Sequence, residues 1–468
     1  MKYNLFNIKI TINEILISIV LSATVILFIK YVDIIVLGSL ILIAILYYKE
    51  SVLIPGIIII FLSATGPSVE KARDFITIGG LGVLVFLFLK KNGFDFHRHT
   101  RIPAEVIYLV AYIFISIIIS TLFTGINFNS LAAFVRLLIY FLLCYILFSS
   151  IADTKMVQKY IISLLIASII LSISVYLEIA SAGISNFIIE GQLTRFAGSY
   201  GNPNYVGMLL LITISLAMSM FWGSKVNKGQ KIFLWLILLN NIIIMMVINS
   251  RAAIIGVLLS VSFILYNMNR KVLAKAAIIS FAVIGILLLI PAFQDLLSLF
   301  IRLDTVGQRE YFWNAGLGMI SDNPIFGVGP DMFPSKFYNY LPSSASYLVE
   351  IANNGVKPSP HNFILFFTSE MGVFGFVGAL YLFGLFFYMG FKSIIRFKGN
   401  EPEYYLMAVT MTGIGIGVFF RSFYEVDGVL TYGYITRDLA FWLIFIIQIF
   451  IYQRGKVKNF SDKNAIVI

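Results

Sequence analysis

Charge is scarce in this chain, and histidine and cysteine are scarcer. Of 468 residues, 12% are charged and 59% hydrophobic, with three histidines and one cysteine. A soluble globular chain of this length carries about twice that charged fraction, so a water-soluble domain is excluded. The lone Cys144 sits inside an apolar run and excludes an intrachain disulfide. Polar alternation is missing too: the run Ile57-Ile58-Ile59-Ile60-Phe61-Leu62 has no polar alternate residue, which excludes an outer-membrane barrel. The first apolar stretch, Ile15 to Ile29, ends in Lys30-Tyr31-Val32-Asp33 without small residues for cleavage. It reads as a retained first helix and not as a signal peptide.

What is present is a succession of apolar runs, each of roughly 15 to 20 residues, the length a helix needs to cross a hydrocarbon core. The chain is therefore expected to be an all-α polytopic membrane protein with about 12–14 transmembrane helices. They are placed at about 12–29, 34–48, 51–64, 76–90, 103–123, 131–150, 160–179, 205–222, 232–249, 252–268, 276–291, 361–390, 405–420 and 433–452. The net charge is +11, and its distribution explains it. With the N-terminus inside, the inner loops hold Lys90-Lys91 with Arg98 and Arg101, then Lys155 and Lys159, Lys225 to Lys231, Arg270 to Lys275, Lys392 to Lys398, and Arg454 to Lys458. The positive-inside rule prefers this orientation, with both termini cytoplasmic. The basic loops then need no nucleic-acid partner. His97 and His99 fall in a basic inner loop and read as solvated.

Two outer segments stand out, residues 180–204 and the large loop 292–360. The second holds Tyr311, Trp313, Tyr338, Tyr340 and six prolines, enough apolar surface to fold as a small cap. Once the topology is set, basic residues on the outer side become informative: Arg195, Arg251, Arg302 and Arg309, with Arg136, Arg421 and Arg437 near outer helix ends. Outer carboxylates are few, chiefly Glu190, Asp304, Glu310, Asp331 and Glu350. Arg251 sits in a short turn between two apolar runs, where an unpaired arginine is costly. Guanidiniums that outnumber carboxylates make an anion site, suited to phosphate oxygens. Snorkelling to lipid headgroups stays open as the plain alternative for any one of them. Asn204, in Asn202-Pro203-Asn204, is expected to cap the next helix, whose N-terminus also attracts anions. The third histidine, His361, follows Lys357-Pro358-Ser359-Pro360, where the long loop re-enters the bilayer.

These residues fall into a pattern. Arg195-x-x-Gly198 with Asn202-Pro203-Asn204 comes first, then Ser250-Arg251 with Ile255. Arg309, Trp313, Pro324-x-x-Gly327-x-Gly329 and Phe333 follow. His361-Asn362 comes last, followed after nine intervening residues by Gly372-x-x-Gly375. In order and spacing the set resembles the O-antigen ligase and O-antigen polymerase family of bacterial envelopes, over roughly residues 190–380.

The resemblance implies a membrane glycosyltransferase of the glycosyltransferase C-type fold, with one large extracytoplasmic loop, needing no metal and no cofactor. It implies transfer of a glycan from undecaprenyl diphosphate to a sugar hydroxyl at the outer face of the inner (cytoplasmic) membrane. The acceptor is another lipid-linked glycan in a polymerase, and lipid A core or a protein in a ligase. Besides the bilayer, other polysaccharide-assembly membrane proteins are partners it admits. It makes Arg195 and Arg251 the diphosphate clamp and His361 the general base, with Asn204, Arg309 and Asn362 as further substrate-binding residues. On this reading residues 1–179 are N-terminal transmembrane helices and 180–390 the catalytic region, loop 292–360 included. Residues 391–468 are C-terminal helices and a cytoplasmic tail.

The chemistry of the residues agrees. Guanidiniums on a departing diphosphate stabilise charge that grows in the transition state. A neutral imidazole can take the acceptor's proton, and a helix N-terminus favours its neutral form. Asn362 is expected to hold the ring or the acceptor. Glu370 lies about 2.5 turns beyond His361 and about 13 Å deeper, so it reads as a polar partner for a neighbouring helix. Gly372, Gly375 and Gly378 read as helix packing. The composition favours a polymerase over a ligase, since it carries no mark of a lipid A partner. A glycan flippase or exporter is the rival class, and it would need a polar path at the bilayer midplane. A scaffold or sensor would leave the arginine–histidine set without a purpose.

Overall fold

The computed structural model describes residues 50–63, 70–93, 102–183, 188–189, 192–223, 226–291, 293–294, 304–342 and 358–465. The expected spans at 12–29 and 34–48, the loop with His97 and His99, and Arg302, Glu190 and Glu350 lie outside these residues. The described helices are α1 (Glu50–Ser63), α2 (Glu70–Asn92), α3 (Ala104–Thr124), α4 (Phe128–Ser150), α5 (Thr154–Ala182), α6 (Pro203–Gly223), α7 (Lys228–Ile248), α8 (Arg251–Met268) and α9 (Arg270–Leu287). Then come α10 (Asp304–Asp322), the single turn α11 (Phe333–Lys336), α12 (Phe363–Phe397), α13 (Pro402–Ser422) and α14 (Ile435–Ala465). A two-residue antiparallel ladder, Ile188–Ile189 with Gln192–Leu193, precedes α6. Nine helices among the described residues are long and apolar enough to cross a membrane: α3 to α8, α12, α13 and the Ile435–Gly455 part of α14. The polytopic helical expectation holds.

Capping residues set the ends that periodicity left loose. Asn227 and Gln230 form a reciprocal capping box at the start of α7. Asn269 accepts from Val272 N and starts α9 at Arg270, six residues before the expected 276. None of α9 is buried, so it leans on its neighbours little. Asn202, not Asn204, caps α6: its Oδ1 accepts from Asn204 N at 2.9 Å. Pro203 takes the first helical position, where its missing N–H costs nothing. Asn204 is thereby released from the capping role.

Successive spans alternate in direction, so their ends form two sets. Lys155, Lys228, Lys231, Arg270, Lys271, Lys398 and Arg454 lie at ends of one set. The other set holds the start of α6, the α7–α8 turn, the start of α12 and the end of α13. Close approach of α8 and α13 brings two of these together. Gly256 and Gly417 face one another there, and a Cβ on either would meet the other's carbonyl.

The long α12 is broken. Gly372 has φ 59° and ψ −144° inside it, a conformation that only glycine adopts without strain. The segment from Pro324 to Gly329 docks at this break. Val328 N donates to Ser369 O at 3.0 Å, Gly329 N to Glu370 O at 2.9 Å, and Val373 N to Pro324 O at 2.9 Å. Backbone groups freed by the break are thus paired again. The glycine expected to be plain packing is a docking point for the loop. Glu370 belongs to the same device, correcting its reading as a helix-to-helix partner. Fully buried, it accepts from Asp331 N at 2.9 Å, Phe333 N at 2.8 Å and the Tyr432 hydroxyl at 2.5 Å.

Candidate active site

Six separate stretches of chain converge on one cavity of about 190 Å³. Arg195 reaches it from the extended segment before α6. Asn204 comes from the first turn of α6, and Asn249 and Ser250 from the α7–α8 turn. Arg251 opens α8, Arg309 and Phe312 lie on α10, His361 precedes α12, and Glu425 follows α13. Five of the residues singled out from sequence, Arg195, Asn204, Arg251, Arg309 and His361, therefore share one wall. The sixth, Asn362, does not line it. Its side chain accepts from Leu365 N at 2.9 Å and caps α12.

Most of these side chains are held by specific contacts. Arg195 bridges two helix ends, with Nε donating to Ile248 O at 3.0 Å and Nη2 to Asn204 Oδ1 at 2.6 Å. Ser250 also donates to Asn204 Oδ1, at 3.3 Å. Asn204 Nδ2 donates to Glu425 Oε1 at 2.7 Å. Arg309 Nη2 donates to the same Oε1 at 2.6 Å. The other Glu425 oxygen lies 3.3 Å from His361 Nδ1. Phe312 sets its ring edge-on to the imidazole, centroids 5.5 Å apart.

His361 itself has φ 46°, left-handed backbone that a non-glycine residue adopts only when its surroundings impose it. Among the described residues the other non-glycine positions of this kind are Asn249, Asp331 and Tyr432. Asn249 lines the cavity; Asp331 and Tyr432 bind Glu370. Strain thus concentrates at the cavity and at the loop anchor.

Glu425 is the residue that sequence reading missed. Its side chain is 1% exposed. Burial pushes its carboxyl up, but His361, Arg309 and Arg421 outweigh burial and hold it below the ordinary glutamate value. Burial pushes the neighbouring Asp427 carboxyl up, against the pull of Arg437. The expectation of arginines short of carboxylates is corrected accordingly: Arg309 pairs with Glu425, Arg136 with Asp331 and Arg437 with Asp427. Buried Arg421 donates to Asn204 O and Asp427 O. A signal was there to read: Arg421, Glu425 and Asp427 fall within seven residues of a chain that is 12% charged.

The cavity wall still has three guanidiniums against one carboxylate. It also holds a donor with no partner. Asn249 is 6% exposed, and its Nδ2 has no hydrogen-bond partner among the described residues. Buried donors are ordinarily satisfied, so this one is free to serve an oxygen that enters the cavity. An excess of positive charge, an unmatched donor and an imidazole side by side suit an anionic, oxygen-rich ligand with a proton to lose nearby.

Residues 232–380 match the O-antigen ligase family. The matched segment carries Asn249, Arg251, Arg309 and His361, and it agrees with the resemblance drawn from the motifs. It supports a membrane enzyme of O-antigen ligase or polymerase type. No curated protein matches the chain.

Proposed function

We propose that the protein transfers a glycan from undecaprenyl diphosphate to a sugar hydroxyl, at the extracytoplasmic face of the cytoplasmic membrane. One observation carries this reading: three guanidiniums and an imidazole meet in a single cavity at the end of the helix bundle opposite the lysine-rich turns. The positive-inside rule makes the lysine-rich ends cytoplasmic. The lipid anchor then lies among the helices while its diphosphate enters the cavity.

Arg195 and Arg251 hold the diphosphate, and Arg309 sits beside them, tied to Glu425. His361 accepts the proton of the attacking hydroxyl. The acceptor oxygen bonds to C1 of the donor sugar as the C1–O bond to diphosphate breaks, and that electron pair leaves with the diphosphate. One displacement of this kind inverts the anomeric centre. The guanidiniums do the work that a divalent cation does in other transferases.

The acceptor is a second lipid-linked glycan, which makes the enzyme a polysaccharide polymerase. The family match favours a second reading, a ligase delivering the glycan to lipid A core or to a protein. Both use the same donor and the same cavity. Cells producing Arg251→Glu or His361→Ala protein are expected to lose the extended or conjugated glycan while keeping normal levels of the protein. Undiminished glycan in the His361→Ala cells would remove the base assignment.

A further inference from the structure

Three cavity side chains converge on the two oxygens of Glu425. Oε1 takes Arg309 and Asn204, and Oε2 faces His361 Nδ1. An ionised carboxylate can only accept hydrogen bonds. A neutral imidazole carries one N–H, so the contact with Oε2 is satisfied only when the proton is on Nδ1. We propose that Glu425 is a positioning residue that fixes the Nδ1–H tautomer of His361 and so leaves the Nε2 lone pair as the base.

Geometry supports this from three sides. The left-handed backbone at His361 and the edge contact with Phe312 fix where the ring lies. Asn362, next along the chain, is committed to Leu365 N and does not compete for the ring. Donors facing Glu425 come from Arg309 on α10, Arg421 at the end of α13 and Asn204 on α6, with His361 opposite and Asp427 and Tyr205 also within electrostatic reach. The Arg309 and Arg421 side chains carry donors only, and the Asn204 oxygen is already taken by Arg195 and Ser250, so none of the three presents a competing acceptor to Nδ1.

The role rests on the transfer reaction proposed above. When the acceptor O–H bond breaks, the proton goes to Nε2 and an imidazolium forms, while the electron pair of the C1–O bond leaves on the diphosphate. The imidazolium then sits against an ionised carboxylate, which stabilises it. Arg309 shares that carboxylate, so the base and the cationic wall are joined through a single side chain.

The imidazole can be observed directly, because the chain has only three histidines. In full-length protein carrying His97→Gln and His99→Gln, ¹⁵N-labelled histidine in lipid nanodiscs reports on His361 alone. The expected spectrum at neutral pH has Nδ1 protonated and Nε2 bare. Arg309→Gln should keep that pattern, and Glu425→Ala should move the proton to Nε2 in at least part of the population. A proton on Nε2 in the parent protein, or an unchanged Nδ1–H in Glu425→Ala, would overturn the proposal. Should Glu425→Ala fail to fold, the parent spectrum still decides. The spectrum needs no substrate, so its failure is distinct from failure of the enzymatic reading, which the His361→Ala cells test. If both hold, Glu425→Ala lowers turnover by at least about 100-fold, the scale of a lost general base.

Discussion

Arg195 Nη2 donates to Asn204 Oδ1 across 2.6 Å, and this contact decides how the cationic wall is built. Asn204 serves Arg195 with its oxygen and Glu425 with its nitrogen. Asn204→Ala removes both bonds and takes one partner each from half-buried Arg195 and buried Glu425. A destabilisation of about 1–3 kcal/mol is expected, read as a fall in thermal midpoint, together with weaker donor binding. Asn204→Asp should be worse, since its carboxylate would face that of Glu425.

Arg251 opens α8 on the cavity wall. Arg251→Glu should abolish product, and Arg251→Lys should keep part of it, because an ammonium supplies charge but not the bidentate fork. Product formed by membranes containing each variant at matched protein level is the measurement.

Asn249 offers a donor that no other described residue uses. Asn249→Asp tolerates the left-handed backbone and keeps the shape, but replaces a donor with a negative charge. The apparent KM for the lipid-linked donor should rise at least about tenfold, about 1.4 kcal/mol of lost binding. An unchanged KM would show that Asn249 does not meet the donor.

Gly372 joins the broken α12 to the loop from Pro324 to Gly329. A Cβ there would run into the Ile325 carbonyl, on a backbone with φ 59°. Gly372→Ala should expel the loop, at a cost of several kcal/mol by strain and overpacking. A lowered thermal midpoint and new proteolytic cleavage near Pro324 are the expected signs.

The Glu425 carboxyl lies below the ordinary glutamate value. Its folded-state pKa is thus depressed, so the stability it contributes is fully present above the ordinary value. That contribution is lost as pH falls through the depressed folded value. The difference in thermal midpoint between the parent protein and Glu425→Gln should stay level from pH 7 down to the ordinary glutamate value and shrink below it. Glu425→Gln should lack that component of the acid loss.

Arg195, Arg251, Arg309, Asn204 and His361 were legible because topology singles out basic residues on the outer side and the motif spacing groups them. Glu425 was not, since its partners are 64, 116 and 221 residues away along the chain. The local cluster with Arg421 and Asp427 marks the turn as charged but does not say which cavity residues Glu425 meets. Gly372 was misread for a related reason. Glycines three apart do pack helices, and only the docked loop shows that this one interrupts a helix. Helix existence followed from apolar runs, whereas helix starts depended on single caps such as Asn202 and Asn269.

The most direct test is to follow undecaprenyl diphosphate release by purified protein in proteoliposomes, with lipid-linked glycan as donor, its glycan acceptor and EDTA. The expected result is release of undecaprenyl diphosphate with a lengthened or conjugated glycan, lost in His361→Ala and Arg251→Glu. Intact lipid-linked glycan that merely changes leaflet, with no diphosphate released, would contradict the glycosyltransferase reading and point to a transporter.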